Sequence, residues 1–125
     1  MIEYVNTKIW GREFSLRVKF RCHSGERVIE SQIKAFEKIM GNPMWIEKSR
    51  KYVEGFCRQQ VYEDDTNRKK DNIFSYIQPD YIFIDREDIP NVAIMCNYRY
   101  DSEHGLAIVF DHNGNITVGL QDIIL

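Results

Sequence analysis

The chain has 125 residues, 43% of them hydrophobic and 29% charged, and a formal net charge of −2. That length supports one domain with its own core and no covalent staples. The near-neutral charge excludes a general attraction to nucleic acid or anionic lipid, and no apolar run approaches the roughly 20 residues a membrane-crossing helix needs.

The opening MIEYVNTKIWGREF lacks a basic start followed by an apolar block, so no signal peptide is expected. Cys22, Cys57 and Cys96 are odd in number and far apart. They read as reduced thiols of a cytoplasmic protein, without a disulfide framework or zinc spacing. Cys22 and Cys96 both fall in strand-like runs and are expected to be buried and inert.

Residues 8–22 read as a β-hairpin with Gly11-Arg12 near the turn. Phe14, Leu16, Val18, Phe20 and Cys22 alternate with Ser15, Arg17, Lys19 and Arg21, the period of a strand with one buried and one wet face. The wet face is a basic stripe. It reads either as charge guarding an edge or surface strand against unwanted pairing or as a docking stripe for an acidic partner.

His23-Ser24-Gly25 breaks the strand. Ile29, Ile33, Phe36 and Met40 then recur at helical spacing over residues 26–40, with a start either capped by Ser24 or delayed to about Glu30. Gly41 suits the left-handed position after a helix, and Asn42-Pro43 opens the next one. That second helix runs to about residue 61 or 63, with a stripe of Ile46, Val53, Phe56, Cys57 and Gln60. Trp45 and Tyr52 lie alongside, and Glu47 and Lys51 are spaced for an ion pair. So short a connection makes the two helices a hairpin. Glu63-Asp64-Asp65 opens a charged stretch to about residue 72 that has no apolar period and reads as an exposed connector.

Residues 80–84, 92–98, 106–110 and 115–118 form a four-strand antiparallel meander. Asn113-Gly114 is the clearest hairpin signal, because a type I′ turn needs positive φ at both residues. Leu106, Ile108 and Phe110 face one way and Ala107 and Val109 the other, so the sheet centre should be covered on both sides. The helical hairpin covers one side. The N-terminal hairpin, the terminal Ile-Ile-Leu or a second subunit must cover the other. The expected architecture is a single α+β domain over residues 1–125: an antiparallel sheet, made of the N-terminal hairpin and the meander, packed on a two-helix hairpin.

Asp101, Glu103 and His104 bring two carboxylates and an imidazole within four residues. Such a set suits acid–base work or a divalent metal when it lines a cleft. It equally suits a tight strand connection in which Asp101 bonds backbone amides and Gly105 takes an unusual φ. His23 and His112 read as exposed turn flanks. No HExxH, CxxC, calcium-loop or phosphate-loop pattern is present, so neither metal nor cofactor is expected. Tyr98 and Tyr100 flank the polar loop and suggest a contact patch with Trp10 or Trp45.

The segments Tyr100-Asp101-Ser102-Glu103-His104-Gly105-Leu106-Ala107-Ile108-Val109-Phe110 and Val118-Gly119-Leu120-Gln121-Asp122-Ile123-Ile124 resemble the tail of a family of small, uncharacterised bacterial cytoplasmic proteins. Residues 29–36, IESQIKAF, resemble it as well. The resemblance implies an immunity protein of a polymorphic toxin system, a cytosolic binder that blocks a toxin, and it brings no catalytic residues. Its Tyr100 stands where tryptophan is the commoner residue.

Together these readings expect a non-enzymatic protein-binding domain. Its contacts are expected at Asp101, Glu103 and His104 and at Glu63, Asp64 and Asp65, because toxins that attack nucleic acid present basic clefts to an inhibitor. Two alternatives stay open: a metal-dependent or acid–base enzyme using the Asp101, Glu103 and His104 loop, and a dimeric structural domain without a toxin partner.

Overall fold

In the computed structural model of the chain, which describes residues 2–60 and 72–125, strand β1 (Tyr4–Ile9) turns into β2 (Arg12–Phe20) through Trp10-Gly11. Both turn residues have positive φ, +48° and +87°, as a two-residue hairpin turn of this hand requires. A bulky residue in that region costs on the order of 1–3 kcal/mol, which the burial of Trp10 offsets. Its indole Nε1–H donates to Ile46 O at 3.0 Å and Ser49 Oγ at 3.1 Å, and its amide to Glu47 Oε2 at 2.9 Å. Glu47 therefore serves the hairpin tip; among the described residues the expected pair with Lys51 does not form, and the helical pairs are Glu30–Lys34 and Arg50–Glu54.

Helices α1 (Glu30–Met40) and α2 (Pro43–Gln60) follow, then β3 (Ile77–Ile84), β4 (Val92–Tyr98), β5 (Leu106–Phe110) and β6 (Ile116–Leu120). The fold is α+β. All six strands form one sheet in chain order, and every neighbouring pair is antiparallel except β2 and β3. The sheet is thus mixed where an antiparallel one was expected. The helical pair between β2 and β3 carries the chain back to the end it started from, which a parallel neighbour requires. It also places β2 inside the sheet, so of the two placements expected for its basic stripe, edge or surface, the stripe lies on an interior strand with Arg17 and Lys19 exposed.

Pro79 sits where β3 shifts register against β4 and precedes the pairing with β2, which begins at Tyr81. A residue with no N–H is tolerated there, and the strand starts three residues earlier than expected.

Helix α2 contacts both outermost strands, β1 and β6. Five spacings of about 4.8 Å would hold those strands about 24 Å apart in a flat sheet, yet adjoining residues of α2 reach both sides, Ile46 accepting from Trp10 next to β1 and Trp45 lying against Gly114 next to β6. The sheet therefore curls around α2. Ile46, Val53 and Cys57 of α2 and Phe36 and Ile39 of α1 pack on Ile82, Ile84, Ile94, Ile108 and Phe110.

The α1 stripe departs from expectation: Gln32, Phe36 and Ile39 are buried, while Ile29 and Ile33 are 39% and 36% exposed. The helix is delayed to Glu30, the later of the two starts considered. Gly41 is right-handed (φ −82°) rather than left-handed, and a Cβ there would stand 3.2 Å from Glu37 O. Close approach at the corner, not conformation, favours glycine.

The second face of the sheet carries Phe83, Ala93, Met95 and Ala107, all buried, with Tyr81, Val109 and Ile124 packed against them. Arg21 reaches across this face, its guanidinium 5.1 Å from the Phe83 ring centroid and its Nη2–H donating to Ile124 O at 2.6 Å. The end of the chain thus contributes the cover for which a second subunit was one candidate. Among the described residues, no helix is long and apolar enough to cross a membrane.

Candidate functional site

The loop from Tyr98 to Leu106 is built by its own polar groups. Asp101 N–H donates to Tyr98 O at 3.2 Å, and Gly105 N–H donates to Asp101 O at 2.9 Å. The Asp101 carboxylate accepts the His104 amide at 3.1 Å and lies 3.0 and 3.1 Å from His104 Nδ1. Those bonds from the His104 amide and ring hold the Asp101 carboxyl below its usual range, and the bond to Asp101 raises the His104 imidazole.

Gly105 is the keystone of this turn, with φ +65° and space for no side chain: a Cβ would lie 2.6 Å from Gln121 Nε2 and 2.9 Å from Cys96 O. Gln121 closes the base by donating from Nε2 to Cys96 O at 3.1 Å.

Of the expected contact residues, Asp101 and His104 are brought together, and Glu103 stands exposed on the same loop. Glu63, Asp64 and Asp65 lie outside the described residues. Among the described residues no group of three His, Cys, Asp or Glu side chains is placed to hold a metal ion. The expected aromatic patch is not formed, because Tyr98 is buried, Tyr100 packs edge-on against it and Trp10 is sealed under α2.

The cysteines divide differently from expectation. Cys57 and Cys96 are buried, and burial pushes the Cys96 thiol far up; Cys22 lies beyond the end of β2 and is exposed. His23 and His112 are exposed turn flanks, as expected.

At the opposite end of the strands a groove of about 750 Å³ opens between the end of β2 and α1, floored by Val18, Phe20, Val28 and Ile33. Apolar spacing assigned Ile33 to the core, which hid this groove from the sequence. The one available signal was Gln32, an amide beside Ile33 whose burial rotates the helix.

The class of protein these features define is a small α+β domain, a six-stranded sheet curled on a helical hairpin, with a locked polar loop at one end and an apolar groove at the other. The chain belongs to a family described as a domain of unknown function (DUF6985), whose profile matches residues 2–125. No curated protein and no solved structure matches it.

Proposed function

We propose that this chain is a non-enzymatic, cytoplasmic protein-binding domain, of the immunity type that neutralises a cognate bacterial toxin. The observation that carries the binding reading is the outward placement of Ile29 and Ile33 beside an open apolar groove. A soluble domain leaves contiguous apolar surface where another molecule covers it. The toxin partner is supported by the tail resemblance, from Tyr100 to Phe110 and from Val118 to Ile124. The loop at Asp101, Glu103 and His104 adds a rigid polar contact surface, since its backbone is held by its own side chains, and a preorganised loop loses little entropy on binding.

Affinity capture of the tagged protein from its native host, read by mass spectrometry, tests this. The expected result is one stoichiometric protein partner, bound about tenfold more weakly or worse after Asp101→Lys with Glu103→Lys, given the reach of interfacial charge. Capture of no partner, together with one bound metal per chain that disappears in His104→Ala, would overturn the reading in favour of chemistry at the loop. Unchanged binding after charge reversal would remove the loop from the interface.

A further inference from the structure

On the second face of the sheet the C-terminal segment packs over Phe83, Ala93, Met95 and Ala107 and leaves the β1–β2 side open. Register decides what lies on that open half. Tyr4 stands beside Arg17, and Arg17 beside Tyr81, in one row across β1, β2 and β3. Lys19 comes two residues after Arg17 and shares its face. Tyr4 is 64% exposed, and Arg17 and Lys19 are exposed as well. Neither cation makes an ion pair among the described residues. Asp80, where β3 shifts register, joins Arg17, Lys19 and Tyr81 around a hollow of about 220 Å³. Burial pushes the Tyr81 phenol up, as does Asp80, while Arg17 opposes them.

We infer that this open half-face binds single-stranded RNA, with bases stacking on Tyr4 and Tyr81 and phosphates meeting Arg17 and Lys19. This activity goes beyond the protein-binding reading and is independent of it. Unstacked bases are taken up by aromatic rings on an open sheet, and their backbone by cations set among the rings. Two strand spacings place the tyrosines about 10 Å apart. Between them lies the guanidinium of Arg17, itself a plane on which a base can stack. Alternation along β2 displays the cations in the sequence, whereas the tyrosines reach them only across strands. The remaining half-face is polar: Asn6, Ser15, Gln78 and Asn97 are exposed, and Lys8 stands opposite Glu13. Among the described residues no aliphatic side chain is exposed on it. A protein partner would lack the apolar centre from which interfaces draw most of their energy. Asp80 repels a carboxylate-rich peptide outright, but it can accept from a ribose 2′-hydroxyl or a base amino group.

The test is fluorescence anisotropy of a labelled single-stranded RNA decamer of mixed sequence with the intact protein. Expected is saturable binding with a Kd of about 100 μM or tighter at physiological salt. Each phosphate contact on a single strand contributes about −0.7 to the slope of log K against log salt, so two predict about −1.4. Tyr4→Ala should weaken binding by about fivefold or more, and Arg17→Glu with Lys19→Glu by about tenfold or more. These positions are exposed, and circular dichroism checks that each variant folds. Tyr52→Ala, at an exposed tyrosine beside Lys51 on α2, should bind as before.

A Kd weaker than about 100 μM, unchanged affinity in Tyr4→Ala or in the double variant, or an equal loss in Tyr52→Ala would overturn the inference. So would a slope steeper than about −3, which places the binding cations elsewhere. Displacement of the RNA by an equal concentration of a glutamate decamer would overturn it too, by assigning the face to an acidic protein. A DNA decamer of the same sequence bound as tightly would overturn the assignment to RNA. Each of these outcomes leaves the protein-binding reading standing, because that reading is tested by capture of a partner.

Discussion

Gln32 shows how a single residue sets an orientation that apolar counting misses. It is fully buried, its Oε1 accepts the Ile29 amide at 3.1 Å, and its Nε2 donates to Arg21 O at 3.0 Å and Asp85 O at 3.1 Å. It ties the first turn of α1 to the ends of β2 and β3. Gln32→Leu keeps much of the volume but strands the buried Asp85 carbonyl and removes one donor from the part-buried Arg21 carbonyl, and a buried polar group left unsatisfied costs about 1–3 kcal/mol. Urea unfolding should show a loss of about 1–3 kcal/mol, and a loss below about 0.5 kcal/mol would mean the amide is replaceable.

The Asp101–His104 pair carries a pH signature. The imidazole is raised by its bond to Asp101, so its contribution is complete below the ordinary histidine value of about 6.5 and fades as pH rises through the folded value. The carboxyl is lowered, so its contribution is complete above the ordinary value of about 3.9 and fades as pH falls through the folded one. The loop is therefore best held between those two values. In an NMR titration Asp101→Asn should move the His104 midpoint down toward about 6.5; an unmoved midpoint would contradict the geometry.

At the scale of elements, two connections behave differently from their local signals. Asn113-Gly114 does not form a type I′ turn, since of the two only Gly114 has positive φ, +81°. Asp111 prevails instead: its Oδ1 accepts the amides of Asn113 at 2.8 Å and Asn115 at 2.9 Å, and its carbonyl accepts Gly114 N–H at 3.0 Å. The result is a three-residue loop with a left-handed glycine at its end, and that glycine lies where a Cβ would stand 2.5 Å from the Trp45 ring.

The C-terminal segment is the other case. Ile123 lies over Gly119, where a Cβ would meet it at 3.0 Å, and Ile124 packs on the Phe83 and Met95 cluster. Ile124→Asp should destabilise the fold by about 1–3 kcal/mol, by placing a charge on an apolar face. It should also raise binding of a hydrophobic dye by the native state. Unchanged unfolding and dye binding would show that Ile124 is not the cover.

At the scale of the whole molecule, the sheet curls around α2, leaving the polar loop and the apolar groove at opposite ends of its strands. Much of this was written locally. The alternation from Phe14 to Phe20, the two-sided apolar runs of β4 and β5, the helix break at Gly41-Asn42-Pro43 and the self-bonding of Asp101 in its loop are short-range patterns. Backbone geometry and side-chain period act on them over a few residues. Strand order, the parallel pairing of β2 with β3, the face that α1 buries and the covering of the second sheet face were decided only in the tertiary structure. Each depends on partners far apart in the chain, such as Arg17 beside Tyr81, Gln32 bonded to Asp85, or Arg21 bonded to Ile124. A local window contains one member of such a pair, and the free energy belongs to both.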